Sequence, residues 1–195
     1  TIPNCVSYDP TFAHEVGVIL HHGLKRMVER QENVYYYITL LNENYPMPGL
    51  KEGTEEQILK GMYLLQEGPK KTPRVNLLGS GTILRESMAA KELLEKEWGV
   101  AANVWSCPSF NELARDGQDP AAEPKIPFVT QQLEKHHGPV IASTDYMKNY
   151  AEQIRAFIPK GRTYKVLGTD GFGRSDFRSE LRKHFEINRH YIVVA

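Results

Sequence analysis

Residues 74–98, RVNLLGSGTILRESMAAKELLEKEW, decide the fold class. The apolar stretch 75–78 has strand length and stops at Gly79-Ser80-Gly81, a turn signal. Beyond it Ile83, Ala90, Leu94 and Trp98 fall on one face at helical spacing, which predicts a helix over 82–98. Strand, tight turn and helix in that order make one α/β unit.

The unit recurs toward the carboxyl end. Strands are predicted at 104–107, 140–143, 165–167 and 191–194. Helices are predicted at 110–115, near 129–136, over 146–158 and near 176–185, with a polar loop over 116–127. Strands alternating with helices imply an α/β domain over 73–195, a mostly parallel sheet flanked by helices.

Toward the amino end, Asp9-Pro10 reads as a capping carboxylate and a first-turn proline. Phe12, Val16, Ile19, Leu20, Leu24 and Met27 then predict a helix over 11–29. The run VYYYITL (34–40) has no polar alternation and suits a strand buried on both faces. A short helix near 55–60 and an apolar stretch at 62–65 lie in 51–72, which ends in the linker-like GPKKTP. Residues 1–50 are thus expected to be the end of another α/β domain, with 51–72 as linker. The start, Thr1-Ile2-Pro3-Asn4, reads as the middle of a longer chain.

Composition excludes several classes. Lys plus Arg equals Asp plus Glu, 24 each, so no strong field recruits nucleic acid or anionic membrane. No apolar run approaches the ~18 residues of a membrane span. Cys5 and Cys107 have no partner spacing and are expected as two free thiols in a reducing cytoplasm, a long-range disulfide being the alternative. His21-His22 and His136-His137 are adjacent pairs pointing apart, so no metal site is expected. Glu15 could be a buried acid.

Three motifs carry candidate chemistry. Gly79-Ser80-Gly81 invites a nucleotide reading, but Leu84 stands where the third glycine of G-x-G-x-x-G belongs, so a tight turn is favoured. Asn42, Glu43, Asn44 and Tyr45 follow a strand's carboxyl end, where open α/β sheets place ligand crevices. They are either substrate-channel residues or a polar turn. In LGTDGFGRSD (167–176), Asp170, Gly171, Gly173, Arg174 and Asp176 are expected to form a structural loop. There Asp170 pairs with Arg174, and Ser175 or Asp176 caps the next helix.

Several blocks in a fixed order resemble one family: IPNCVSYDPTFAHEV (2–16), ENVYYYITLLNENYPMPG (32–49), LLGSGTILRE (77–86), FNELARDGQD (110–119), ASTDYMKNYAEQIR (142–155) and LGTDGFGRSD (167–176). They resemble the homodimeric pyruvate dehydrogenase decarboxylating subunits, which are transketolase-like thiamine diphosphate enzymes. The resemblance makes residues 1–50 the end of the pyrimidine-binding domain and 73–195 the transketolase-like C-terminal domain. It implies an acetyl-transferring pyruvate dehydrogenase that decarboxylates pyruvate on thiamine diphosphate with magnesium and reductively acetylates lipoyl groups. It also implies a second copy of the subunit and the lipoyl domains of a dihydrolipoyl acetyltransferase core as partners.

Asp170-Gly171 is similar to the G-D-G motif that holds magnesium diphosphate, but Thr169 replaces its first glycine and no Asn-Asn follows. The cofactor-binding residues are therefore expected in other segments, with no catalytic residue here, a structural and dimer-forming role, and no activity alone. The alternative is a stand-alone domain binding a small anion or nucleotide at 79–81 or 168–173. Between Asp119 and Pro127 the chain is shorter than the family's usual insertion.

Overall fold

The computed structural model describes residues 2–119 and 126–195; the shortened loop falls mainly on residues outside these. Its centre is a five-stranded sheet of order β3-β5-β4-β6-β7. The strands are β3 (Tyr63–Gln66), β4 (Arg74–Gly79), β5 (Ala101–Ser106), β6 (Val140–Ser143) and β7 (Tyr164–Leu167). Only β3 runs antiparallel, against β5; the other three pairings are parallel. The α/β reading therefore holds, with an antiparallel edge strand drawn from the stretch expected as linker.

Side chains alternate across the pleat, so neighbouring residues serve different cores. Leu78, Trp105, Ala142 and Val166 pack under α4 (Phe110–Gln118), α5 (Phe128–Glu134) and α6 (Asn149–Glu152). Val75, Leu77, Ala102 and Ile141 pack under α3 (Ile83–Glu97) and α8 (Arg189–Val194). Two buried amides lie between the layers. Asn76 Oδ1 accepts from Trp105 Nε1 at 3.2 Å and Asn103 Nδ2 at 3.1 Å, so their burial leaves those groups partnered.

The amino-terminal part is a parallel pair, β1 (Cys5–Tyr8) with β2 (Tyr35–Ile38), backed by α1 (Ala13–Leu24), which ends in a π-helical turn over Lys25–Glu29. β1 docks on the β5–α4 turn: Asp9 N donates to Pro108 O at 2.6 Å, and Ser109 Oγ to Ser7 O at 2.7 Å. Between β2 and β3 lies α2 (Glu55–Lys60), and α7 (Arg178–His184) completes the helices.

Five expectations are corrected. Residues 191–194 are helical: Asn188 Oδ1 accepts from the amides of His190 and Tyr191, and Ile192 is buried against α3. The helix expected over 146–158 shrinks to α6 and a 3-10 turn at Arg155–Phe157. Its first amides are spent elsewhere, Tyr146 N on Thr144 Oγ1 and Lys148 N on Asp170 Oδ1. β2 is covered on one face only, where Tyr36 and Ile38 pack against Val18 and Ile19 of α1, leaving Tyr35 and Tyr37 exposed. Trp98 lies beyond the end of α3 and is exposed. Asp9 does not cap α1; Glu15 Oε2 reaches back to the amides of Thr11 and Phe12 instead.

Candidate functional site

The parallel strands end together at one edge, and β4 is the switch point, with β5 on one side and β6 on the other. Open α/β sheets bind ligands there. In this chain the crevice is filled from within. Asp9 is buried, its Oδ1 accepts from Thr39 Oγ1 at 2.6 Å, and a Cβ on Gly81 would meet both carboxylate oxygens at 2.7 Å. Gly81 has φ +49°, its amide donates to Asp9 O at 3.0 Å, and its carbonyl accepts from Thr11 Oγ1 at 2.6 Å. The anion or nucleotide alternative at 79–81 is thereby closed, since a carboxylate already occupies the turn. Burial pushes the Asp9 carboxyl up to about 6, against the pull of the Thr39 hydrogen bond.

The turn after β2 lies over the same edge. Asn42 Oδ1 accepts from Arg178 Nη2 at 2.6 Å. Glu43 pairs with Arg85 at 2.9 Å and Arg182 at 3.7 Å, and the Arg85 hydrogen bond holds its carboxyl below the ordinary range. Tyr45 donates to Thr11 O, and the Arg85 guanidinium sits 4.4 Å over its ring. Asn44 is exposed. Three of the four channel candidates therefore tie residues 42–45 to α3 and α7, while Asn44 faces outward.

The ties belong to a longer network. Arg182 reaches Glu86 at 3.6 Å, and Arg189 holds Glu86 through Nε at 3.0 Å and its own amide at 2.9 Å. Burial pushes the Glu86 carboxyl up, but the hydrogen bonds and charge of Arg189 outweigh it and leave it below the ordinary range. Neither Arg85 nor Glu86 was singled out in the sequence. Nothing local marks them, because their partners lie about 40 and 100 residues away.

The loop after β7 departs from the expected pairing. Asp170 accepts from Lys148 N at 2.9 Å and lies 3.6 Å from its ammonium, so it serves the β6–α6 turn, not Arg174. Gly171 has φ +88°, as its place in a tight loop suggests, whereas Gly173 has no positive φ; a Cβ on either would meet only open space. Asp176 Oδ1 accepts from Phe177 N at 2.7 Å, one residue outside α7, whose N-cap Phe177 has no side-chain cap. Arg174 forms no ion pair among the described residues.

Among the described residues no group of three or more His, Cys, Asp or Glu could hold a metal ion. Asp170, the residue most like a magnesium ligand, is already committed to Lys148. The donor set does not fit a magnesium diphosphate, and no step is assigned to one on this chain. No helix among the described residues is long and apolar enough to cross a membrane.

Comparisons with known proteins agree with this architecture. Residues 61–188 match the model of the transketolase-like TK C-terminal domain, and residues 1–48 that of the pyruvate dehydrogenase E1 component middle domain. Pyruvate dehydrogenase E1 components of Pseudomonas aeruginosa and Escherichia coli K12 are each 54% identical over 100% of the chain, which covers 23% of each relative. The chain thus spans about a quarter of the length of these relatives. Among solved structures, a transketolase from Leishmania mexicana superposes with TM-score 0.68 at 18% identity, covering 99% of this chain and 25% of that one. A Campylobacter jejuni transketolase gives 0.62 at 21%, covering 98% and 26%. At those identities the structures bear on the fold alone.

Proposed function

The chain belongs to the transketolase-like family, as a segment of the pyruvate dehydrogenase E1 component, and on that premise we propose that it serves a subunit that decarboxylates pyruvate. In this reading the whole subunit uses thiamine diphosphate with magnesium and reductively acetylates lipoyl groups. Its partners are a second copy of itself and the lipoyl domains of a dihydrolipoyl acetyltransferase core, and it works in the cytoplasm. The observation that carries the reading is the identity of 54% along the entire chain, through both matched domains and the stretch between them.

The segment's own contribution is positional. Residues 1–50, the end of the pyrimidine-binding domain, are locked to the C-terminal domain by Asp9 on Gly81, by Glu15 and by the 42–45 turn. Residues 42–45 extend from that lock toward the remainder of the subunit, and Asn44 is the member whose side chain is free to line the substrate path. Cofactor and metal are held by other segments, since the donors here are used internally. The segment alone is then inactive and binds no thiamine diphosphate. Calorimetric titration of the isolated chain with thiamine diphosphate and magnesium tests this: absence of heat is expected, and one micromolar site per chain would refute it.

A further inference from the structure

Beside Leu41, at the carboxyl edge of the sheet, lies a recess of about 300 Å³. Its polar lining is Thr82, Asp145, Thr169, Arg174, Arg178 and Arg182, and its floor is apolar, formed with Leu181 and Phe185. Three guanidiniums therefore face one carboxylate. Arg182 is neutralised by Glu43 and Glu86 and donates to Thr82 Oγ1 at 2.7 Å. Arg174 and Arg178 form no ion pair among the described residues. Arg178 is held by the neutral amide oxygen of Asn42.

The charge of Arg178 also acts on Glu43, but with Arg174 and Arg182 on the same wall three guanidiniums outnumber the carboxylates there and leave a local positive charge that a dianion would satisfy. Their planar forks suit the oxygens of a phosphate better than ammonium groups would. The recess is larger than a bare phosphate needs. Asp145 also lines it and can accept from hydroxyl groups. We propose that this recess binds the phosphate monoester of a small polyol, with the phosphate on Arg174 and Arg178 and the hydroxyls toward Asp145. The ligand takes Arg178 from Asn42. Occupancy thereby releases one of the ties on residues 42–45 and couples the recess to the turn.

The test is calorimetric titration of the full-length subunit with glycerol 3-phosphate at low ionic strength. One saturable site per chain is expected. R174Q and R178Q should each weaken it by about tenfold or more, the loss of one charge-assisted pair. N42A should tighten it, and inorganic phosphate should bind more weakly than the ester. Arg174 is exposed, so its variant should keep the unchanged melting temperature. No saturable binding, an affinity unmoved by R174Q and R178Q, no gain in N42A, or equal binding of inorganic phosphate would overturn the proposal. Turnover is not read, so the outcome is separate from that of the catalytic reading.

Discussion

The Tyr63 hydroxyl on β3 donates to Glu15 Oε1 on α1 at 2.7 Å, and Ser106 Oγ on β5 donates to the same oxygen at 2.6 Å. With the amides of Thr11 and Phe12 on Oε2, the fully buried carboxylate collects four donors from both parts of the chain. Removing one donor leaves the others, so Tyr63→Phe should cost about 1–2 kcal/mol. Glu15→Ala takes the shared acceptor from all four, of which Tyr63 keeps a second partner in His14 Nε2 at 3.1 Å, and should cost about 3 kcal/mol. Urea unfolding of both variants checks the order; an equal small cost would mean that the two parts are held together elsewhere.

Asp9 makes the junction sensitive to pH. Its carboxyl titrates near 3.8 when unfolded and about 6 when folded, because burial disfavours the charged form. Between those values the folded chain keeps a proton that the unfolded chain has lost. Stability therefore falls as pH rises through this window, by roughly 3 kcal/mol, and the deficit persists above it. Asp9→Asn has no such titration. It should be the more stable chain near neutral pH and lose that advantage toward pH ~4, which melting temperatures across the range would reveal.

Asn188 starts α8, where its side chain accepts from two first-turn amides. Asn188→Ala should lower stability by about 1 kcal/mol, within the range for such caps. A neutral substitution in denaturant titrations would contradict the helical assignment of this terminus.

The sheet was legible because its strands are short apolar runs closed by turn residues, as in 75–81 and 140–143. The terminus was not, because four apolar residues satisfy strand and helix alike, and packing on α3 decides between them. Asp9 was misread for a related reason. A carboxylate before a proline has a local use as a cap, and only the fold brings Gly81 to it across more than 70 residues. The expected Asp170–Arg174 pair failed likewise: the β6–α6 turn presents a nearer amide and ammonium on Lys148. Of the site candidates, the position of 42–45 past a strand end was readable, but its tether to Arg85, Arg178 and Arg182 was not.

Glu43 and Asn44 should behave differently despite being neighbours. Half-exposed ion pairs contribute ~1 kcal/mol or less, so Glu43→Ala should lower stability slightly by freeing Arg85. Asn44→Ala should leave the melting temperature alone and, in the full-length subunit, raise KM for pyruvate or slow lipoyl acetylation. Unchanged kinetics for alanine at Asn42, Glu43, Asn44 and Tyr45 in turn would make residues 42–45 a tether and nothing more.

The most direct measurement is a substrate comparison on the full-length subunit with thiamine diphosphate and magnesium. One arm follows pyruvate-dependent reduction of an artificial electron acceptor and acetylation of an added lipoyl domain. The other follows transfer of a two-carbon unit between ketose and aldose phosphates. Turnover of pyruvate with acetylated lipoyl product, and no ketol transfer, is the expected result. Ketol transfer without pyruvate turnover would contradict the assignment.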